Sequence, residues 1–97
     1  MKIPKKLKIG NLTYSVQPMR GDLADAKEAF GDSSVINQTI RISEGITREK
    51  MEETFIHEIV HSVLNQAGYF TESKNEIFVK ALTNGFYQVL KENKLLK

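Results

Sequence analysis

The chain's only two histidines stand four residues apart, with a glutamate directly after the first: His57-Glu58-Ile59-Val60-His61. Few features restrict a fold so tightly. Residues i and i+4 share a face, one turn apart, on an α-helix. If the two imidazoles act together, a helix must run through this block and be packed well enough to hold them still. Two histidines placed at random in such a chain fall four apart in roughly 2% of arrangements, and with Glu at that position in roughly 0.2%. That is rare enough to read the block as a signal. The plainer alternative is a surface helix with two idle imidazoles and a solvated glutamate.

The flanking pattern supplies the helix. Thr47 is a suitable N-cap and Gly68 a suitable stop, so a helix is expected from about Thr47 to Ala67. Ile56, Ile59, Val60, Val63, Leu64 and Ala67 form the expected core-facing stripe. Thr54, His57, His61 and Asn65 fall on a neighbouring stripe, with Glu58 at its margin. A second helix is expected from Thr71 or Ser73 to Asn93, burying Phe78, Val79, Leu82, Phe86, Val89 and Leu90. Gly85 lies within that arc, where close approach of a partner helix would explain it. Upstream, Lys6–Ile9 and Leu12–Val16 flank Gly10-Asn11 and read as a tight β-hairpin. Residues 21–30 read as a short helix capped by Asp22 and ended by Gly31. Ser34–Ile36 and Thr39–Ser43, around Asn37-Gln38, read as a further hairpin. The order ββ-α-ββ-α-α describes an α+β fold, a short antiparallel sheet packed on two helices. The chain's 97 residues fit one domain with one core.

There is no cysteine, so a metal in this chain is held by histidine, carboxylate and water. Zinc is the ion expected for two histidines at this spacing, one per chain. Catalytic zinc takes three protein ligands and a water. With His57 and His61 used, the third ligand is a carboxylate. Glu76, at the start of the last helix, is well placed if that helix packs back against the first. Two other readings stand beside it: Glu72 as the ligand, or Glu76 as the closing residue of a capping box begun by Ser73. Glu76 shares a helical face with Thr83 and Tyr87. Glu58 follows His57 directly and cannot easily join the same coordination shell, so it is the expected general base and acid. Tyr69, Tyr87 and Arg41 are candidates to stabilise a developing oxyanion. Thr54, Asn65 and Asn84 are candidates to orient the histidines.

At this point the residues resemble the gluzincin class of zinc metallopeptidases, and most nearly the very small members called minigluzincins and the short metallopeptidase-like chains encoded by phages and prophages. The resemblance rests on Thr54-Phe55-Ile56-His57-Glu58-Ile59-Val60-His61 and on the run from Glu76 to Leu82, within roughly residues 7 to 93. It implies His57, His61 and Glu76 as zinc ligands and Glu58 as general base and acid. It also implies that Thr39–Ser43 is an edge strand along which a peptide lies antiparallel. One departure is visible. Larger gluzincins carry an aspartate one turn after the third ligand, and here that position is Lys80.

The expected activity is hydrolysis of peptide bonds in a peptide or protein substrate. The alternative is a non-catalytic use of the same scaffold, binding a peptide or regulatory partner. Residues 1–20 carry five basic side chains and no acidic ones, while residues 21–53 carry eight acids against four bases. A basic arm of this kind is read as a solvated terminus, since no aromatic residues interleave it for base stacking; nucleic acid is not an expected partner. No apolar run approaches the ~20 residues of a membrane span. The basic start runs into Pro4 and Lys8 without an apolar segment behind it, so the expected location is the cytoplasm.

Overall fold

The computed structural model describes residues 1–19 and 30–95. Four strands, β1 (Lys6–Ile9), β2 (Leu12–Met19), β3 (Gly31–Ser34) and β4 (Thr39–Ser43), are followed by three helices, α1 (Arg48–Gln66), α2 (Phe70–Lys74) and α3 (Glu76–Glu92). The fold is α+β, as the sequence pattern indicates. The expected helix over 21–30 falls almost wholly outside the described residues. Gly31, expected to end it, instead opens β3.

The hairpin forms where the sequence places it. Ile9 pairs with Leu12 across Gly10-Asn11, and Gly10 takes φ +58°, a value a side chain resists. A second constraint acts at the same residue. A Cβ on Gly10 would lie 2.5 Å from Gln66 Oε1, because Gln66 Nε2 donates to Ile9 O and to Tyr14 Oη, each at 3.0 Å. The C-terminal end of α1 is thereby pinned to the hairpin. It also satisfies the hydroxyl of Tyr14, which is wholly buried.

The strand order is β1-β2-β4-β3. The sheet is mixed and not uniformly antiparallel: β2 and β4 run parallel, while both outer pairs are antiparallel. A parallel pair needs a long connection, and the chain from residue 20 to residue 38 supplies it, with β3 laid on the far side of β4. Two expectations are corrected by this path. Thr39–Ser43 is an interior strand and not an edge, and the edge strand is β3 at Gly31–Ser34, not Ser34–Ile36. Ile36 sits in the connecting turn, 93% exposed. The apolar alternation of β4 explains its central place, since Ile40 and Ile42 are both buried beneath α1. Pro18 is tolerated within β2 because β1 pairs only as far as Ser15, so no β1 partner waits for an amide there.

The core lies between the sheet and α1: Ile9, Tyr14, Ile40, Ile42 and Phe55, with Ile3, Leu7, Leu12, Val16, Met51 and Ile59 packed around them. Thr47 caps α1 by accepting from Lys50 N at 3.1 Å. The buried face of α1 is rotated from the expected stripe. Phe55 enters the core, while Val63 and Ala67 stay exposed. The cause is that α1 is covered on two sides, by the sheet and by α3, and neither cover is centred on that stripe.

The last helix is also divided. α2 ends at Lys74, and Asn75, not Ser73, caps α3 by accepting from Phe78 N at 3.1 Å. The capping-box reading of Ser73 and Glu76 is therefore corrected. The expected buried arc of α3 is covered only in part: Val79 is buried, but Phe78, Phe86 and Val89 are exposed.

A second close crossing lies between β3 and α1. A Cβ on Gly31 would lie 2.6 Å from Thr54 Cγ2 and 2.7 Å from the carbonyl oxygen of Arg41. Gly31→Ala should therefore push the strand off the helix and lower stability by about 1–3 kcal/mol, read as a drop in thermal midpoint. Unchanged stability would mean that β3 is not seated as described.

Candidate metal centre

His57 and His61 project from one face of α1, one turn apart, with ring centroids 4.8 Å apart and planes at 72°. Glu76, the first residue of α3, reaches back over them. Its Oε2 lies 3.2 Å from His57 Nε2 and its Oε1 3.1 Å from His61 Nε2, while the two Nε2 atoms are 3.2 Å apart. Ligand atoms of all three residues lie within 4.8 Å of one another, and they are the one such group among the described residues. The turn through Gly68 and the short α2 brings Glu76 here. Glu72 does not line the cavity around the site.

The outer ring nitrogens are held by two hydroxyls. Ser73 Oγ lies 3.0 Å from His61 Nδ1, and Thr83 Oγ1 lies 3.4 Å from His57 Nδ1. The Thr83 hydroxyl donates to Val79 O at 2.8 Å, so toward His57 it acts as an acceptor. That favours the proton on His57 Nδ1 and leaves Nε2 bare, facing the other donors. Burial, followed by the neighbouring His61, lowers the His57 pKa against the opposing pull of Glu76, and so favours the neutral ring that ligates metal. Both hydroxyl residues are buried. The expected orienting residues Thr54, Asn65 and Asn84 line the cavity but make no hydrogen bond to either histidine. Ser73 was open to view only as a cap. Thr83 was visible as a face-mate of Glu76, seven residues on, but without a role.

These residues suit a divalent metal. Tetrahedral zinc with ligands at about 2.0–2.1 Å sets its ligand atoms roughly 3.3 Å apart, close to the 3.1–3.2 Å found here. Two imidazole nitrogens and a carboxylate are a borderline donor set of the kind zinc takes, with a fourth position left for water.

Glu58 is the second unusual group. Its side chain is buried between α1 and the β3 edge, with the Ser33 hydroxyl beside it. Burial raises its pKa to about 7; the Ser33 hydrogen bond opposes the rise, and the nearby Asp32 and Glu76 add to it. Glu58, His57, His61 and Glu76 all line one open cavity of about 990 Å³, walled by β3 residues Asp32 and Ser33 on one side and by Lys74, Lys80 and Thr83 on the other. Tyr69, Tyr87 and Arg41 do not line it. Tyr87 donates to Glu52 Oε1 at 2.8 Å, and Arg41 pairs across the sheet with Asp32, Nε to Oδ1 at 2.8 Å. Lys80 is the cationic wall residue whose charge acts on His57.

Comparison of the chain with protein-family models, curated proteins and solved structures gave no match. Among the described residues, no helix is long and apolar enough to cross a membrane.

Two outcomes follow from this geometry. Thr83→Val, which keeps shape and removes the acceptor, should weaken zinc binding by about 10–100-fold in competition with a chelator, with the helical circular dichroism unchanged; equal affinity would remove Thr83 from the site. The raised pKa of Glu58 carries a stability cost in the metal-free protein. Below its unfolded pKa, near 4.5, the group is protonated in both states and costs nothing. Between there and about 7 the unfolded chain ionises first and stability falls as pH rises; above 7 the cost is complete. Glu58→Gln should therefore stabilise the metal-free protein at pH 8 by up to about 3 kcal/mol, and the gain should vanish near pH 4. A pH-independent difference in unfolding free energy would contradict this.

Proposed function

We propose that this chain is a zinc-dependent endopeptidase of the gluzincin type, with His57, His61 and Glu76 holding one zinc ion and Glu58 acting as general base and acid. The observation that carries the reading is the convergence of three donor atoms at 3.1–3.2 Å beside a buried carboxylate whose pKa lies at about 7. When bound, zinc supplies a Lewis acid that acidifies water and polarises a carbonyl.

The remaining work falls to the chain's own side chains. Glu58 takes the proton from the attacking water and delivers it to the leaving amine, and a pKa near neutrality suits it to both transfers. Ser33 keeps the carboxylate oriented. Thr83 and Ser73 hold the two rings so that their Nε2 atoms stay turned toward Glu76. Lys80, standing where larger gluzincins carry an acid, is the cation available on the α3 wall to steady negative charge on the substrate carbonyl. An extended peptide would run along β3, whose outer edge has no strand beside it among the described residues. The open cavity suits a flexible peptide or protein segment. The cysteine-free composition is compatible with the cytoplasm as the place of action.

A purely structural zinc site is closed by four protein ligands, and only three groups converge among the described residues. That favours an open site over a purely stabilising metal. The deciding experiment compares zinc content and cleavage of a quenched-fluorescence peptide library by the parent and by Glu58→Gln. The parent should bind one zinc and cleave; the variant should keep zinc and lose at least about 100-fold in rate, and chelation should abolish the activity. Equal cleavage by Glu58→Gln would overturn the mechanism, and a zinc-loaded parent that cleaves no peptide would favour the binding module.

A further inference from the structure

The outer face of α3 carries an inference independent of the metal centre. Phe78, Ala81, Leu82, Gly85, Phe86 and Val89 follow the spacing i, i+3, i+4, i+7, i+8, i+11, which defines one continuous stripe on a helix. Such a stripe ordinarily faces a core. Here α1 is met instead by the neighbouring face, through the buried Val79 and Thr83 and the Tyr87 hydroxyl. The stripe is left largely in solvent: Phe86 is 56% exposed, Val89 46% and Phe78 40%.

Gly85 adds a second observation. It sits in the interior of α3, where glycine costs about 1 kcal/mol relative to alanine, and a Cβ built there meets nothing within 4 Å. No contact within the chain requires it, so close approach by α1, the explanation the sequence suggests, does not apply. The residue is small where nothing in the chain needs it to be small.

We infer that this face is a self-association surface, on which α3 packs antiparallel against α3 of a second copy. The stripe is complementary to itself. A two-fold axis between Thr83 and Asn84 sets Phe86 over Ala81 of the partner subunit, Leu82 over Gly85 of the partner subunit, and Phe78 over Val89 of the partner subunit. Every large side chain meets a smaller one, and Gly85 becomes the hole that admits a leucine. This is what an isologous interface requires, since one patch must serve as both halves. Phe86 and Phe78, 56% and 40% exposed, each leave only about half of an aromatic side chain's 150–250 Å² to be covered, so the stripe and the stems flanking it offer roughly 400–500 Å² per copy. A face of this size lies at or just under the lower bound of about 1,000 Å² in total for a specific interface, and so fits a weak, reversible dimer.

The test is sedimentation velocity of the full 97-residue chain from about 5 to 500 µM, a range spanning micromolar dissociation. A concentration-dependent monomer–dimer equilibrium is expected. Phe86→Glu and Gly85→Gln should each weaken it at least about tenfold. Gly85→Gln should at the same time keep or raise the thermal midpoint of the monomer, because the helix gains a better former and nothing in the chain obstructs the new side chain; loss of dimer then cannot be blamed on unfolding. A chain that stays monomeric throughout overturns the inference and leaves the face to a different partner. A dimer indifferent to both substitutions places its interface elsewhere and overturns it equally. Neither result bears on zinc binding or peptide cleavage, so the two readings stand or fall separately.

Discussion

The close seating of β3 on α1 is the contact on which the candidate site depends. It is possible only because residue 31 has no side chain: Thr54 Cγ2 and the Arg41 carbonyl occupy the space a Cβ would need. The consequence is felt one turn along the helix. With the strand this near, Glu58 is largely buried, with Ser33 of the strand beside it and only the open cavity to reach water through. A carboxylate on an open helix face would ionise in the ordinary range and make a weak base. The same carboxylate under an edge strand is held near pH 7, where it can both accept and release a proton. The absence of a side chain at residue 31 lets the strand contribute to burying Glu58.

The metal centre is a place where the fold spends stability. Without a cation, three donor atoms crowd to within 3.2 Å, and Glu58 is buried beside two further carboxylates. Other contacts offset this. On one side the sheet and α1 enclose Ile9, Tyr14, Ile40, Ile42 and Phe55. At the far end of the α1–α3 seam, buried Glu52 accepts from Tyr87 Oη at 2.8 Å and lies 3.6 Å from Arg48 and 3.8 Å from Lys91. Burial alone would raise its pKa, but the hydrogen bonds from Tyr87 and the Met1 amino group, with nearby positive charge, outweigh burial and lower it. Glu52 therefore contributes stability that is present above the ordinary carboxylate range and lost as pH falls through its own lower pKa. The two buried glutamates of α1 are opposites: Glu52 is compensated and ties the helices together, whereas Glu58 is only partly compensated by Ser33 and its pKa is raised to about 7.

What the sequence made legible divides along the same physical lines. Periodicity, capping and turn residues located α1 with its Thr47 cap, the Gly10-Asn11 hairpin and the grouping of His57, His61 and Glu76, because each is set by local geometry or by helical spacing. The parallel pairing of β2 with β4 was not legible. It depends on the path of a long connection, and both hairpins would look the same in an all-antiparallel sheet. Gly31 was misread because a glycine after an apolar run signals a helix end as well as it signals a close crossing. Ser73 was misread for a similar reason: the spacing to Glu76 fits a capping box, and only the break at Asn75 turns its hydroxyl toward His61. Hydroxyls that orient a histidine leave no pattern of their own along a chain.

The burial of α3 was the largest misjudgement, and it is instructive about what this helix does. The sequence pattern predicts a buried arc of Phe78, Val79, Leu82, Phe86, Val89 and Leu90, with Gly85 admitting a partner helix. The structure instead turns the site-bearing side inward, as Glu76 and Thr83 require if they are to reach the two histidines. Turning Glu76 toward the candidate metal centre turns Phe78 and Leu82 away from the core, because residues two and six positions along lie well around the helix from it, while Phe86, seven positions after the buried Val79, stands at the border of the inner face. The exposed stripe and the metal centre are therefore two results of one rotation. A helix held to its neighbour mainly by Val79, Thr83 and the Glu52–Tyr87 bond has little apolar anchorage of its own. A zinc ion joining α1 to Glu76 would tighten its inner face, and a second copy would cover its outer one. Both would restrain the same rotation, by contacts that share no side chain.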